Sequence, residues 1–226
     1  MQSVRYIVIE GVIGAGKTSL VHRLHAERGG RRCLELVEQN PFLVGGFYQD
    51  IEGYAFDTEL FFLLARFRQQ REIARALRSD PGPIFCDYLF AKNRIFAELT
   101  LSAGDYGIWR RLYDSLAPEV VPPDLVLYLR SGADALVDRI RTRNRPFERD
   151  ITRDYVRRLN AAYEDFFASY PGPLLTIDVS RLDFVGSEAD YAAVRVLLEH
   201  RIGAIEAGQG ELDLPAAQGR SGTRAR

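Results

Sequence analysis

Lysine is what this chain most conspicuously lacks: of 30 basic residues only Lys17 and Lys92 are lysine, and the other 28 are arginine. A lysine that falls in a recognisable motif therefore stands out from its background. Cysteine is almost as scarce. Cys33 and Cys86, with His22, His25 and His200 scattered along the chain, form neither a disulfide framework nor a zinc set, which suits a reducing cytoplasm. Charge of one sign is missing too, because 31 acidic residues balance the basic ones to a formal net charge of −1. Without a basic field, long nucleic acid is excluded as the main partner, and a small anionic ligand met by a local cluster is expected instead. No apolar run approaches the ~20 residues of a membrane span. The N-terminus leads straight into an apolar strand pattern, without the basic segment, apolar core and cleavage site of a secretory signal, so neither membrane insertion nor secretion is expected. There is no internal repeat.

What is present suits one domain. At 226 residues, with 46% apolar and 27% charged content, the chain is long enough for a well-buried core. The composition turns to Gly, Ala, Gln and Arg without periodicity from Gly208, so residues 1–207 are expected to form the domain and 208–226 a disordered tail. Strand patterns at Val4–Ile9, Cys33–Val37, Ile84–Cys86, Leu125–Leu129 and Leu174–Ile177 alternate with helical ones. That order predicts an α/β fold, a parallel five-stranded sheet flanked by helices, with ligands gathered at the carboxyl ends of the strands. A long amphipathic stretch, Ala55–Arg78, carries Phe56, Leu60, Leu63, Leu64 and Phe67 at helical spacing.

The segment Gly11-Val12-Ile13-Gly14-Ala15-Gly16-Lys17-Thr18 fits GxxxxGK[ST], directly after the first strand pattern and before the helical pattern Ser19–Arg28. One of the two lysines occupies its lysine slot. Such a loop aims backbone N–H groups at phosphates and adds the positive end of a helix dipole, so a nucleoside triphosphate is the expected ligand. Gly11, Gly14, Ala15, Gly16, Lys17, Thr18 and Ser19 are the candidate contacts, with Lys17 reaching the β and γ phosphates and Thr18 offering its hydroxyl to Mg²⁺.

Polar residues that follow the strands are the ones this fold would gather around the triphosphate. Asp87, after the third strand, is the candidate carboxylate for Mg²⁺. Glu38, read as the end of the second strand, is the candidate general base, accepting the proton an attacking hydroxyl must shed. Glu10, after the first, reads as a solvated charge. Arg139, Arg141, Arg143 and Arg145 precede Pro146, and their planar forks suit a transferring phosphoryl group. Leu136 to Asp150 is therefore expected to act as an arginine-rich lid that closes over the reaction and excludes water.

Together, IEGVIGAGKTSL, VEQNPFLVGGFY, YAFDTELFFLLARFRQQ, DYLFAKNRIFAE and DRIRTRNRPFE, in this order over residues 4 to about 200, resemble the deoxyribonucleoside kinases, especially the bacterial deoxyguanosine/deoxyadenosine branch. The resemblance implies a P-loop kinase fold, a homodimer, ATP as phosphate donor with Mg²⁺, and the 5′-hydroxyl of a deoxyribonucleoside as acceptor. It also implies roles. Glu38 matches the general base, Arg139 and Arg143 match lid arginines on the phosphates and the donor's base, and Arg145 matches a further lid arginine, on the substrate side. Tyr48 and Glu148 match the pair holding the 3′-hydroxyl. Glu59 and Arg66 match the readers of the acceptor's base edge, and Asp183 and Phe184 the segment along the donor's adenine.

Two departures from the family pattern stand out. Asp87 is followed by Tyr88 where the family commonly has arginine, and Lys92 is the expected source of the missing charge. Glu59 stands where much of the family has glutamine. An ionised carboxylate only accepts, which favours guanine's N1–H and amine, while Arg66, about 10 Å further along the helix, would donate to O6 and N7. Deoxyguanosine is thus expected as the best substrate. Two rival readings remain at this point, a nucleoside monophosphate kinase of the thymidylate kinase type and a non-catalytic nucleotide switch. The absent arginine counts against the first. The second has no NKxD or DxxG segment to support it.

Overall fold

The computed structural model describes residues 3–208, so the expected tail lies outside the described residues except for Gly208. Five strands, β1 (Tyr6–Glu10), β2 (Arg31–Cys33), β3 (Ile84–Cys86), β4 (Leu125–Arg130) and β5 (Leu174–Asp178), form one sheet in the order β2-β3-β1-β4-β5. All four pairings are parallel. Between the strands run α1 (Lys17–Arg28), α2 (Pro41–Val44), α3 (Ile51–Ser79), α4 (Lys92–Thr100), α5 (Ala103–Leu116), α6 (Ala133–Arg143) and α7 (Arg153–Ala168), and α8 (Glu188–Glu206) follows β5.

Every residue of β1 is buried, as a central strand covered on both faces requires. Its alternation separates two helical layers. Tyr6 and Glu10 share one face and meet Gln70 of α3 and Tyr163 of α7. Ile7 and Ile9 point to the other, where α1 packs and is tied to α8 by Arg28–Glu199 and Arg195–Glu27 ion pairs. On the α3 side a stack of Tyr106, Trp109, Tyr113 and Phe90 joins α5 to the start of α4.

β2 differs from its expected position. It spans Arg31–Cys33 rather than Cys33–Val37, because it is an edge strand paired only with the three-residue β3, whose last ladder partner is Cys86 opposite Cys33. Beyond Cys33 there is no strand to pair with. The chain leaves the sheet and makes a 3₁₀ turn at Val37–Gln39. Asn40 then clips this connection to the long helix: its Oδ1 accepts from the N–H groups of Phe42 and Leu43, capping α2, and its Nδ2 donates to the carbonyl of Thr58. The helix itself, α3, begins with Asp50 accepting from the Gly53 N–H and runs ~43 Å, enough to carry residues past the whole carboxyl edge of the sheet.

Candidate active site

The loop from Gly11 to Gly16 turns tightly from β1 into α1. Gly16 caps the helix at φ 95°, a left-handed conformation that disfavours a side chain, and a Cβ there would lie 2.6 Å from the Phe184 ring. Gly11 passes so close to β4 that a Cβ would meet the Leu129 carbonyl at 2.7 Å. The Asp183–Phe184 segment is thereby laid against the loop, with the Asp183 carboxylate capping Gly186 and Phe184 buried. Lys17 curls back so that Nζ donates to the carbonyls of Gly11 (2.7 Å) and Val12 (3.2 Å). Burial and the nearby Lys92 charge lower its pKa to about 8.

At the end of β3 the Asp87 carboxylate joins three elements. Its Oδ2 accepts from the Thr18 hydroxyl at 2.5 Å and its Oδ1 from the Glu35 N–H at 2.7 Å. Burial, then the Glu35 charge, pushes its pKa up. The two groups expected to meet Mg²⁺ are therefore adjacent.

The expected general base is not where the sequence pattern put it. Because β2 ends early, Glu38 falls in the 3₁₀ turn, its side chain 70% exposed and 3.9 Å from Arg145, at the rim of the cavity. Glu35 occupies the interior instead. Its Oε1 accepts from Arg66 Nε (2.8 Å) and Nη2 (2.5 Å), and its Oε2 from Lys92 Nζ at 3.1 Å. Burial opposes its charge, but Lys92, Arg66 and Lys17 outweigh burial and hold its pKa down to about 2. A signal for Glu35 was present: it is the single charge inside the run Cys33-Leu34-Glu35-Leu36-Val37.

Lys92, expected as a replacement charge, is buried within this cluster, 3.9 Å from Glu10 as well as bonded to Glu35. Arg66 departs from its expected part, since its fork is committed to Glu35 and, through Nη1, to Asn93. Glu10 is no solvated charge. It is wholly buried, its Oε1 accepting from the Gly11 N–H and the Tyr163 hydroxyl and its Oε2 from the Leu89 N–H, so it fastens the start of the phosphate loop to the turn before α4.

A single cavity of about 450 Å³ connects these groups. The loop residues Gly14, Gly16, Lys17, Thr18 and Ser19 line it together with Glu35, Asp87 and Lys92 and with Tyr48, Thr58, Glu59, Arg66, Glu148 and Tyr155. Tyr48 stands edge-on between Phe47 and Tyr155, and burial, reinforced by Glu148, raises its pKa. Glu59 is buried, and burial raises its pKa to about 8 against the opposing pull of Arg66.

After α6, Asn144 adopts φ 51° and Pro146 stops the helix, as the sequence suggested. Arg143 makes a bidentate pair with buried Glu148, and Arg145 lies 3.8 Å from the same carboxylate, so both reach the cavity. Arg139 does not line it. Its guanidinium is turned to the carbonyls of Val179 (2.6 Å) and Leu182 (3.3 Å), beside Phe184. Gly11 and Ala15 support the loop from beneath rather than line the cavity, Ala15 being buried in the core.

Comparisons with known proteins identify the family. A family model described as deoxynucleoside kinase matches residues 7–200. The chain is 34% identical over 199 residues to the deoxyguanosine kinase of Bacillus subtilis (strain 168), covering 86% of this chain and 96% of that protein. It is 28% identical to a deoxyadenosine/deoxycytidine kinase of the same organism, over 80% of this chain and 86% of the relative. Among solved structures, deoxyadenosine kinase from M. mycoides with bound dATP superposes with a TM-score of 0.74 at 26% identity, covering 85% of this chain and 98% of that one.

Proposed function

The chain belongs to the deoxynucleoside kinase family, and from that membership we infer that it transfers the γ phosphate of ATP to the 5′-hydroxyl of a deoxyribonucleoside, a purine one, in nucleotide salvage. One observation carries the reading: phosphate-loop residues and the side chains Tyr48, Glu59, Glu148 and Tyr155 line one and the same cavity, and the Glu35 carboxylate with its cations lines it too. A donor phosphate at Lys17 and an acceptor beyond Glu35 would meet there without an intervening wall.

Glu35 takes the part first given to Glu38. Held ionised by three cations, it aligns the 5′-hydroxyl and accepts its proton as the phosphoryl group moves. Lys92 supplies the charge that the family's arginine brings after the aspartate. The remaining roles follow the family match. Tyr48 and Glu148 hold the 3′-hydroxyl, Arg143 and Arg145 close onto the phosphates, and Arg139 with Asp183 and Phe184 frames the donor's adenine. Glu59 faces the acceptor's base, as the next subsection develops.

Mg²⁺ fits this donor set. Thr18 and Asp87 bring a hydroxyl and a carboxylate oxygen together, both hard ligands, and no group of three or more His, Cys, Asp or Glu among the described residues forms a protein cage. Phosphates and water would complete the shell, as is usual for this ion. Bound there, it neutralises charge on the β and γ phosphates. Following the family pattern, the working form is a cytoplasmic homodimer; no helix among the described residues is long and apolar enough to cross a membrane.

The test is an acceptor panel with labelled ATP: four deoxynucleosides and their monophosphates. Transfer to deoxyguanosine or deoxyadenosine is expected. Transfer to monophosphates alone, or a clear pyrimidine preference, would defeat the reading.

A further inference from the structure

We propose that the Glu59 carboxyl chooses between the two purines by its own proton: ionised, it takes guanine, and protonated, it takes adenine. The proposal rests on the deoxynucleoside kinase reading of the cavity and names what decides the base within it.

Among the buried polar atoms of the described residues that have no hydrogen-bond partner, Thr58 Oγ1, Glu59 Oε2 and the Tyr155 hydroxyl belong to residues lining the cavity. Buried polar groups are normally paired, and leaving one unpaired is costly. These atoms are buried in the cavity wall rather than exposed to its open space, and being unpaired they are left for a ligand to satisfy when the wall adjusts to it. Glu59 is the one member whose hydrogen-bonding sense depends on a proton.

The groups that face Glu59 come from every neighbouring element. On α3 itself Arg66 attracts its charge, and from the connection after β2 the Glu35 carboxylate repels it. From α4 Lys92 attracts it, and the Thr100 hydroxyl, which donates to the Phe96 carbonyl, lies beside it. Tyr155 of α7 and Tyr48 stand alongside, and Glu148, paired with Arg143, lies next to Tyr48. Arg66 is occupied by Glu35 and Asn93. The outcome of burial against these charges is a carboxyl that titrates at about 8, within reach of ordinary assay conditions.

The chemistry of the two bases differs at the edge such a carboxyl meets. Guanine presents N1–H and an exocyclic amine, two donors, which an ionised carboxylate accepts through its two oxygens. Adenine presents N1 as an acceptor beside a 6-amino donor. A protonated carboxyl answers that pair, one oxygen donating and the other accepting. The same side chain in the same place therefore reads either purine, and the two modes differ by one proton. The ratio of ionised to protonated carboxyl changes tenfold per pH unit, so the preference for deoxyguanosine over deoxyadenosine should change by the same factor.

A competition assay tests this. Deoxyguanosine and deoxyadenosine are supplied together at equal concentration with ATP, and the initial ratio of the two monophosphate products is measured from about pH 6.5 to about pH 8.5, either side of the Glu59 midpoint. Because both acceptors compete for the same enzyme, titration of Lys17 or of ATP affects both alike and cancels from the ratio. The ratio should rise about tenfold per unit, roughly a hundredfold across the range. In Glu59→Gln it should be independent of pH and moved toward deoxyadenosine, since the amide carries a donor and an acceptor together. A flat ratio in the wild-type enzyme overturns the proposal without any need for the variant. A slope that survives Glu59→Gln overturns it as well. If neither purine deoxynucleoside is phosphorylated at any pH, the kinase reading beneath it falls too, which is a different result from a flat ratio between two working substrates.

Discussion

Replacing Glu35 by glutamine is the sharpest test of how the cavity works, because the same substitution at Glu38 provides a control three residues away. Glutamine keeps the size of Glu35 and one acceptor oxygen, so a contact to Arg66 survives. It turns the other oxygen into an NH₂ group aimed at the Lys92 ammonium 3.1 Å away, and two donors then face each other. Arg66 and Lys92 are each only 3% exposed and lose their common counter-charge. Breaking a buried pair of this kind costs about 3–5 kcal/mol. The depressed pKa gives a compatible figure. A carboxylate held at about 2 against an ordinary 4.5 contributes on the order of 3 kcal/mol. That stability is fully present above the unfolded value and is lost as the pH falls from about 4.5 toward about 2. For catalysis, losing a general base costs about 10²–10⁴ in kcat. Glu38→Gln removes only an exposed charge 3.9 Å from Arg145, worth at most about 1 kcal/mol, and should leave kcat within about threefold. Steady-state kcat and KM for the deoxynucleoside, with urea unfolding midpoints for both variants, decide the matter. If Glu38→Gln loses more turnover than Glu35→Gln, or Glu35→Gln folds and turns over normally, Glu35 is not the base.

Three further substitutions report on its surroundings. Lys92→Met should cut kcat by about a hundredfold and raise the pH at which activity disappears on the acid side, because the attraction that most lowers the Glu35 pKa is gone; an unmoved acid limb would argue that Lys92 is merely structural. Gly16→Ala drives a methyl to within 2.6 Å of the Phe184 ring at a left-handed φ, so ATP affinity should drop at least tenfold by calorimetry, and unchanged affinity would mean that the loop does not carry the triphosphate. Glu59→Gln should stabilise the unliganded protein. A carboxyl raised to about 8 binds its proton in the fold but not when unfolded, so wild-type stability falls as pH rises from about 4.5 to about 8, by about 1.4 kcal/mol per unit. The gap between variant and wild-type melting midpoints should therefore widen with pH, and a gap that narrows would show Glu59 to be ionised in the fold.

The parts of this protein that were legible in the sequence are those whose physics is local. The loop Gly11–Thr18 declares itself through backbone geometry and one lysine, β3 through an uninterrupted apolar run, and the end of α6 through Pro146. β2 was misplaced because strand length depends on the partner: apolar residues Leu34, Leu36 and Val37 look like strand, but β3 has no residues left to pair with them. That shift is why the strand-end carboxylate of the sequence reading was Glu38, which lies exposed in the 3₁₀ turn, while Glu35 went unremarked. Glu10 failed for a related reason, since a carboxylate next to a glycine loop reads as solvated until the Leu89 N–H and the Tyr163 hydroxyl arrive from distant segments. Arg66 lines the expected cavity, but its pairing with Glu35 was not legible, because helix spacing shows that it faces the same side as Glu59 and says nothing of Glu35 across from it. Pairing with a distant segment, or its absence, is the common element in all three.

That pairing also orders events in the cavity. Its lining carboxyls are Glu35, Glu38, Glu59, Asp87 and Glu148, and its lining cations other than histidine are Lys17, Arg66, Lys92, Arg143 and Arg145; with Glu59 protonated below about pH 8, the cations exceed the carboxylates by one before any phosphate enters. Arg66 and Lys92 are committed to Glu35, while Arg143 and Arg145 lean on Glu148. Lys17 donates only to carbonyls among the described residues, and a phosphate can replace those without unpairing a carboxylate. The triphosphate should therefore seat on Lys17 first. Arg143 can turn to it only by releasing Glu148, and a released Glu148 is free to accept the 3′-hydroxyl beside Tyr48. Donor and acceptor are then coupled through one ion pair, and linkage requires the effect to be mutual. A non-hydrolysable ATP analogue should tighten deoxynucleoside binding by about 5–150-fold, the deoxynucleoside should tighten the analogue by the same factor, and Arg143→Gln should abolish the coupling in both directions. Equal affinities with and without the second ligand, measured by titration calorimetry, would mean that Glu148 holds Arg143 throughout and that the arginines never reach the phosphates.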